Sequence, residues 1–472
     1  MENKRIIQEA VREMAGVIGD MNQSVWNYAE VGYEEHKSSE KLMEVLRSEG
    51  FSVQTKVADI ETAFIGSYGE GKPVIGILAE YDALPGLSQE AGMAEHKPIE
   101  GAKYGHGCGH CTLGAGAVGA ALAVKAYLDA SGKSGTVKLF GCPAEEFGFG
   151  KAFMARAGCF EGVDMAFTWH PGPSNAVMAE RMVAYYKVQF SFRGQTSHAG
   201  QAPEKGRSAL DACELMNVGV NYLREHVIST ARIHYAYLDC GGEAPNIVQD
   251  HASLLYFIRA PKLFQCGELL ERVKKIAKGA ALMTETEVEI KVLGGLNDVI
   301  SNPTGNQLLA DAWKEAGGPD FDEADYDIAR RFWKIVPENV RIKTGQQMAS
   351  LQGITPEEFD QKPLAKAVFP YTPSMRDELC TGSSDVGDVS YLVPTAQIVA
   401  CNSVPSTQWH TWQLTAQTGT TIGDKAACAA ARVIALAATR IIDDPDIAKK
   451  AREELIEETG GIYVSPIPDD VK

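Results

Sequence analysis

The stretch Tyr104-Gly-His-Gly-Cys-Gly-His-Cys-Thr112 is the one around which the rest of the chain is read. It gathers His106, Cys108, His110 and Cys111 into six consecutive positions with glycines between them. Glycine lets backbone approach a ligand closely and tolerates unusual dihedrals. Thiolate and imidazole are soft and borderline metal ligands. Three readings compete at this point. The loop is a buried glycine-rich turn with core Cys and His; or Cys108-Gly-His-Cys111 is a redox C-x-x-C opening a helix; or the loop holds metal.

Working outward, residues 113–128 are rich in alanine and glycine and predict a buried helix behind the loop. On the other side Val74-Ile-Gly-Ile-Leu-Ala79 is a continuous apolar run, as a strand buried on both faces would be. It runs into Glu80-Tyr-Asp-Ala-Leu-Pro85. A strand over Thr136–Cys142 ends in Pro143-Ala-Glu-Glu146, and one over Met165–Trp169 ends in His170-Pro171. Three strands thus deliver acid or imidazole at one end, where open α/β sheets keep their sites. Gly66-Ser-Tyr-Gly-Glu-Gly-Lys72 imitates a phosphate loop, but Pro73 stands where Ser or Thr should hold magnesium, and a strand follows instead of a helix. It reads as a hairpin turn.

Residues 4–18 and 37–49 read as amphipathic helices. From residue 183 to about 293 the order β-α-β-β-α-β is that of a ferredoxin-like unit. The fold class is therefore α/β with two domains. A catalytic domain is expected from 1–182 and 294–472, with a lid and dimerisation domain over 183–293 between them. Residues 318–380 form a charge-rich insertion with weak helical signals, either a lobe over the site or peripheral.

At 472 residues with 45% hydrophobic and 23% charged residues, the chain has the composition of a soluble globular protein. A net charge of -17 argues against nucleic acid and anionic membrane as partners. No apolar run is expected to reach transmembrane length. The first residues open a charged helix rather than a signal peptide. Ten cysteines without a disulfide spacing point to free thiols in the cytoplasm.

Adjacent carboxylates at a strand end suit a division of labour. One binds metal, and the other takes a proton from water and passes it to a leaving group. Cys108, His110, Glu146, His170 and His410 together suffice for two divalent ions. A C-x-x-C redox protein explains none of the last three.

These motifs, with Gly194-Gln-Thr-Ser-His-Ala199, Gly241-Gly-Glu-Ala-Pro-Asn246, Ser384-Asp-Val-Gly-Asp-Val-Ser390 and His410-Thr-Trp412, resemble the M20 family of metallopeptidases and amidohydrolases. The resemblance covers nearly the whole chain. It is to the branch in which cysteine replaces a bridging aspartate, and within it to the aminobenzoyl-glutamate utilisation type.

The resemblance implies an α/β sandwich catalytic domain of the zinc-exopeptidase type. Cys108 would bridge two ions, Glu146 and His410 completing one, His110 and His170 the other. Manganese is favoured by resemblance, zinc the alternative. Glu145 would be the general base and Asp82 an orienting group behind the metals. His198 would reach the partner subunit's site and stabilise an oxyanion. Asn246 and Arg259 would hold a substrate carboxylate.

The implied activity is hydrolysis of the amide of an N-acyl or aminoacyl amino acid, with p-aminobenzoyl-glutamate leading. A dipeptidase (β-alanyl dipeptides included) or another N-acyl-amino-acid hydrolase is the alternative. A non-catalytic binding protein is the alternative from another class, beside the redox one. The partners implied are a carboxylate-bearing small molecule and a homodimer mate through the lid, or a related second subunit. One departure from the branch is Cys111 after the second loop histidine, which is expected not to be a ligand.

Overall fold

The computed structural model describes residues 2–471. It divides into two compact units. The first takes the residues up to Glu180, Ser301–Asp377 and Val389–Ile462; the second takes Arg181–Ile300, Glu378–Asp388 and the residues from Tyr463 on.

The first unit is built on a seven-stranded mixed sheet. Its strands run in the order Ser52–Thr55, Phe64–Glu70, Gly135–Gly141, Val74–Ala79, Met165–Gly172, Thr395–Cys401, Ala176–Met178. The four strands from Gly135–Gly141 to Thr395–Cys401 are parallel. Their carboxyl ends therefore lie along one edge, where Glu80, Asp82, the Glu145–Glu146 turn and the loop to His410 follow, and where His170 lies near the end of its strand.

Two local expectations are corrected here. The Gly66–Lys72 segment is not a hairpin turn, because Phe64–Glu70 and Val74–Ala79 do not pair with each other. Each pairs with a different edge of Gly135–Gly141, the first antiparallel and the second parallel. The strand Met165–Gly172 also runs past Trp169. Register with Thr395–Cys401 carries it through Gly172, so His170 and Pro171 lie within the strand rather than after it.

The helix behind the ligand loop spans His110–Ser131. It packs against the helices Glu2–Tyr28 and Thr421–Asp443 and against three of the parallel strands. Close approach explains its small residues. A Cβ at Gly116 would stand 2.7 Å from the Trp169 ring. Among the described residues this helix, contrary to the expectation, is long and apolar enough to cross a bilayer, but 89% of its apolar window is buried inside the unit. It is the core helix. The N-terminal helix extends well beyond residue 18, because Met21, Val25 and Trp26 continue its buried stripe. Asn22 interrupts the apolar pattern, but it is buried and donates to Thr418 O and Asp424 Oδ1.

The insertion forms three helices, Glu323–Ile335, Glu338–Gln352 and Pro356–Gln361. Their Tyr326, Phe332, Trp333 and Phe359 share a core with Val404 and Ala416, which flank the loop bearing His410.

The second unit has a four-stranded antiparallel sheet, ordered Arg232–Asp239, His251–Ala260, Ala184–Arg193, Glu287–Leu296. The helices Ala209–Leu223 and Leu263–Thr284 pack on each other and on this sheet. Numbered along the chain the strand order is 2-3-1-4, the ferredoxin-like arrangement.

Candidate metal centre

The ligand loop is shaped by Gly109. Its φ of +84° is costly for residues with a Cβ, and a Cβ there would meet Pro171 Cγ at 2.9 Å. Glycine lets the loop lie on Pro171, so that His110 begins the helix beside His170. The two imidazole centroids are 6.1 Å apart, edge to face.

Asp82 ties two elements together. Its Oδ1 lies 2.7 Å from His110 Nδ1, and its Oδ2 accepts from the Glu146 amide at 3.0 Å. With Nδ1 donating to the carboxylate, the neutral ring of His110 would present the lone pair of its other nitrogen to the site. The turn before Glu145 is fixed by a second acid. Glu35 is fully buried and accepts from the Ala144 amide at 2.8 Å, and Ala144 itself has a φ of +57°. The third piece is the loop after Thr395–Cys401. His410 N donates to Gly107 O at 2.7 Å, and Trp409 Nε1 to Pro171 O at 2.9 Å. His410 Nε2 then stands 3.4 Å from Glu146 Oε2.

Three clusters of donors result, each with its ligand atoms within 4.8 Å of one another. Cys108, His110 and His170 form one; Cys108, Glu146 and His410 form another; Glu80, His110 and Glu145 form the third. Cys108 belongs to the first two. His106 and Cys111 belong to none of these clusters. His106 Nε2 faces Val25 O at 3.0 Å, and burial lowers its pKa to about 4. Burial pushes the Cys111 thiol up to about 12, the opposite of an activated redox cysteine.

The electrostatics call for a cation. Burial pushes the Cys108 thiol up, and burial, with Asp82 and Glu80 adding to it, raises Glu146 to about 7. Burial opposes a proton on His110, yet Cys108 and Asp82 hold its pKa well above the usual imidazole range. Burial lowers His170 to about 4 and lowers His410 as well. Acids and a thiol thus crowd around His110, and this excess draws protons onto buried groups. A divalent ion takes the place of such protons. Glu146 Oε1 and His110 Nε2 are buried without a hydrogen bond, as donors awaiting an ion would be. Thiolate, imidazole and carboxylate suit zinc and, through the last two, manganese. The residues fit the group.

The lid candidates lie in the second unit. His198 and Asn246 are exposed on adjoining loops, linked by Ala199 N to Asn246 O at 2.9 Å. Arg259 lies on His251–Ala260, its guanidinium over the Tyr185 and Phe257 rings. Its Nη1 donates to Ser383 Oγ at 3.2 Å, while its Nε is buried without a partner.

Sequence reasoning gave no role to Glu80, Lys151 or Glu35. Glu80 carried a signal, as an acid at a buried strand's end two residues before Asp82. Lys151 and Glu35 carried none, since their partners are distant in sequence. Phe149 is buried, but Phe147 is half exposed.

Two donor triads sharing a thiol, at the carboxyl ends of a mixed α/β sheet, form a candidate metal centre. The chain belongs to peptidase family M20/M25/M40, whose model matches residues 76–325. It is 39% identical over 472 residues, 99% of this chain and 98% of the relative, to one of the subunits of p-aminobenzoyl-glutamate hydrolase from Escherichia coli (strain K12). It is 31% identical over 327 residues to the Xaa-Arg dipeptidase of Mus musculus, covering 66% of this chain and 70% of that one. A dinuclear metal binding peptidase from M20 family of Bacillus subtilis has the same fold, with a TM-score of 0.58 and 17% identity over 92% of this chain and 99% of that chain. The protein is thus a hydrolase of this family, and the redox and non-catalytic readings give way to it.

Proposed function

We propose that this hydrolase cleaves the amide of an N-acyl or aminoacyl amino acid, with p-aminobenzoyl-glutamate as its first substrate. The observation that carries the reading is the pair of donor triads sharing Cys108. The substrate rests on the likeness to the Escherichia coli hydrolase along nearly the full length of both chains. The likeness to Xaa-Arg dipeptidase favours a dipeptide as the second reading.

Cys108 would bridge two divalent ions, manganese ahead of zinc. His110 and His170 would complete one set of donors, Glu146 and His410 the other. Bound there, the ions supply Lewis acidity and lower the pKa of water. Glu145 takes a proton from the attacking water and passes it to the leaving amine. A Glu145 oxygen within 4.8 Å of the His110 donor suits that role. Asp82 keeps His110 in one tautomer and turns the Glu146 backbone toward the site.

In the second unit, residues 183–293 serve as lid and dimerisation domain. His198 stabilises the oxyanion from the partner subunit's side. Arg259, with Asn246, takes the substrate carboxylate; its unpartnered buried Nε is a donor left over for such an acceptor. The mate is a second copy or, since the Escherichia coli relative is named as one component of its hydrolase, a related chain. The protein works in the cytoplasm.

The test is hydrolysis of p-aminobenzoyl-glutamate beside dipeptides and N-acyl amino acids, with manganese, zinc or chelator. Glu145→Ala is expected to lower kcat by about 10²- to 10⁴-fold while metal stays bound. Cleavage that survives both chelation and the substitution would sink the reading.

A further inference from the structure

One buried acid of the centre has no part in the scheme above. Glu80 follows the strand Val74–Ala79, and its side chain is fully buried. Its Oε1 lies 2.6 Å from Lys151 Nζ, which is fully buried as well. Lys151 stands on the helix Gly150–Arg156, just after the Glu145–Glu146 turn.

The other oxygen, Oε2, is 3.2 Å from His110 Nε2 and 3.7 Å from His170 Nε2. Neither Glu80 Oε2 nor His110 Nε2 makes a hydrogen bond. With Asp82 on Nδ1, His110 Nε2 is a lone-pair donor in the neutral ring. When the imidazole Nε2 atoms carry no proton, a carboxylate oxygen and two imidazole nitrogens so close together repel one another unless a cation lies among them, and a divalent ion would stand where such a proton otherwise would. The spacing fits that cation. Donors on a four-coordinate ion with bonds of about 2.1 Å stand about 3.4 Å apart, and the two observed distances bracket that value.

We propose that Glu80, held by Lys151, is a further ligand of the ion that His110 and His170 hold. The inference rests on the two-ion reading and makes the two sites unequal. The ion at His110 would then have four protein donors, Cys108, His110, His170 and Glu80, as closed sites have. The ion at Glu146 has three, and one of them, His410, is half exposed. The first ion is therefore the slow, tight one. The second is the exchangeable one with an open position.

The test is manganese binding to the metal-stripped full chain. It is read by calorimetry and by metal analysis after dialysis, without any activity assay. The wild type is expected to bind two ions in two affinity classes, with the weaker class lost in His410→Ala. Glu80→Gln is isosteric and is expected to weaken the tight class by about 10- to 100-fold or more, bringing the two classes together. Because that change removes the carboxylate charge beside the buried Lys151 ammonium, the double variant Glu80→Gln with Lys151→Met is measured too, and Glu80→Asp keeps the charge with a shorter reach. Each is expected to weaken the tight class. Two classes of unchanged affinity in any folded variant that lacks the Glu80 carboxylate would overturn the assignment of Glu80 alone. A wild type that binds no ion would overturn the two-ion reading itself.

Discussion

The carboxyl edge of the parallel strands and the loops of the ferredoxin-like unit both carry candidate residues, but they hold them differently. At the strand ends the side chains are buried or partly buried except for the exposed His410, and several are held from behind. Asp82 holds His110 and the Glu146 amide, Glu35 holds Ala144, and Gly107 O takes the His410 amide. In the second unit His198 and Asn246 are exposed, and among the described residues the side-chain hydrogen bond at this pair is Gly200 N to His198 Nδ1. A metal centre must be preorganised, because a donor displaced by an ångström is a donor lost. Groups that meet a substrate gain from remaining open to it. If the proposed roles hold, the difference separates two kinds of failure, loss of the centre and loss of the grip on the substrate.

The largest effect is expected at Cys108. It is the one residue in both triads, so Cys108→Ala would remove a donor from each of the two proposed ions. Metal analysis should then find less than one ion per chain and activity at background, with the far-ultraviolet circular dichroism of the wild type. Two retained ions would break the comparison, because the centre would then not depend on its shared donor.

A smaller effect sharpens it from the other side. Arg259→Ala should leave metal content unchanged and raise KM by about 10- to 100-fold, the range for losing charged hydrogen bonds to a carboxylate. Arg259→Lys should recover little, because an ammonium cannot reproduce the guanidinium fork or its stacking over Tyr185. A fall in metal content instead would move Arg259 from substrate binding to support of the fold.

How far the sequence could be read follows the same division. Local patterns were legible. The continuous run Val74–Ala79 is a strand with those bounds, and the alternation through 183–293 yields the observed strand order. The five proposed ligands stood in short motifs at strand ends and converge in space. What was hidden depends on partners far along the chain. The pairing of Phe64–Glu70 with Gly135–Gly141 is not written in the turn between residues 66 and 72. The buried helix expected over 113–128 is present, but it spans His110–Ser131, because burial around most of its circumference leaves no amphipathic period to mark its ends. Asn22 looks like a break until its bonds to Thr418 and Asp424 are seen. Glu80 looks like one acid among several until Lys151 is found beside it.

The smallest expected effect concerns a support group, Glu35, and appears in stability rather than turnover. Its carboxyl accepts from the Ala144 amide at 2.8 Å and from Thr62 Oγ1 at 2.9 Å. Burial, with the nearby charge of Asp82, raises its pKa from 4.5 to about 8. The folded state therefore holds this proton over a range where the unfolded chain has released it. A raised carboxyl pKa contributes stability that is whole below about pH 4.5, declines as pH rises and is gone near pH 8. Glutamine stays neutral throughout. It keeps an acceptor for Ala144, and its amide can donate to the Thr62 hydroxyl. Glu35→Gln should then melt close to the wild type near pH 5 and above it near pH 8, by at most a few kcal/mol. Kinetics at each pH should differ little, since the turn before Glu145 keeps its anchor. Taking the difference between the two proteins cancels the pH dependence of the metal centre common to both. Melting curves that run parallel from pH 5 to 8 would mean that Glu35 is ionised in the folded protein. The support behind the Glu145 turn would then be a charged group, held as the ligands themselves are.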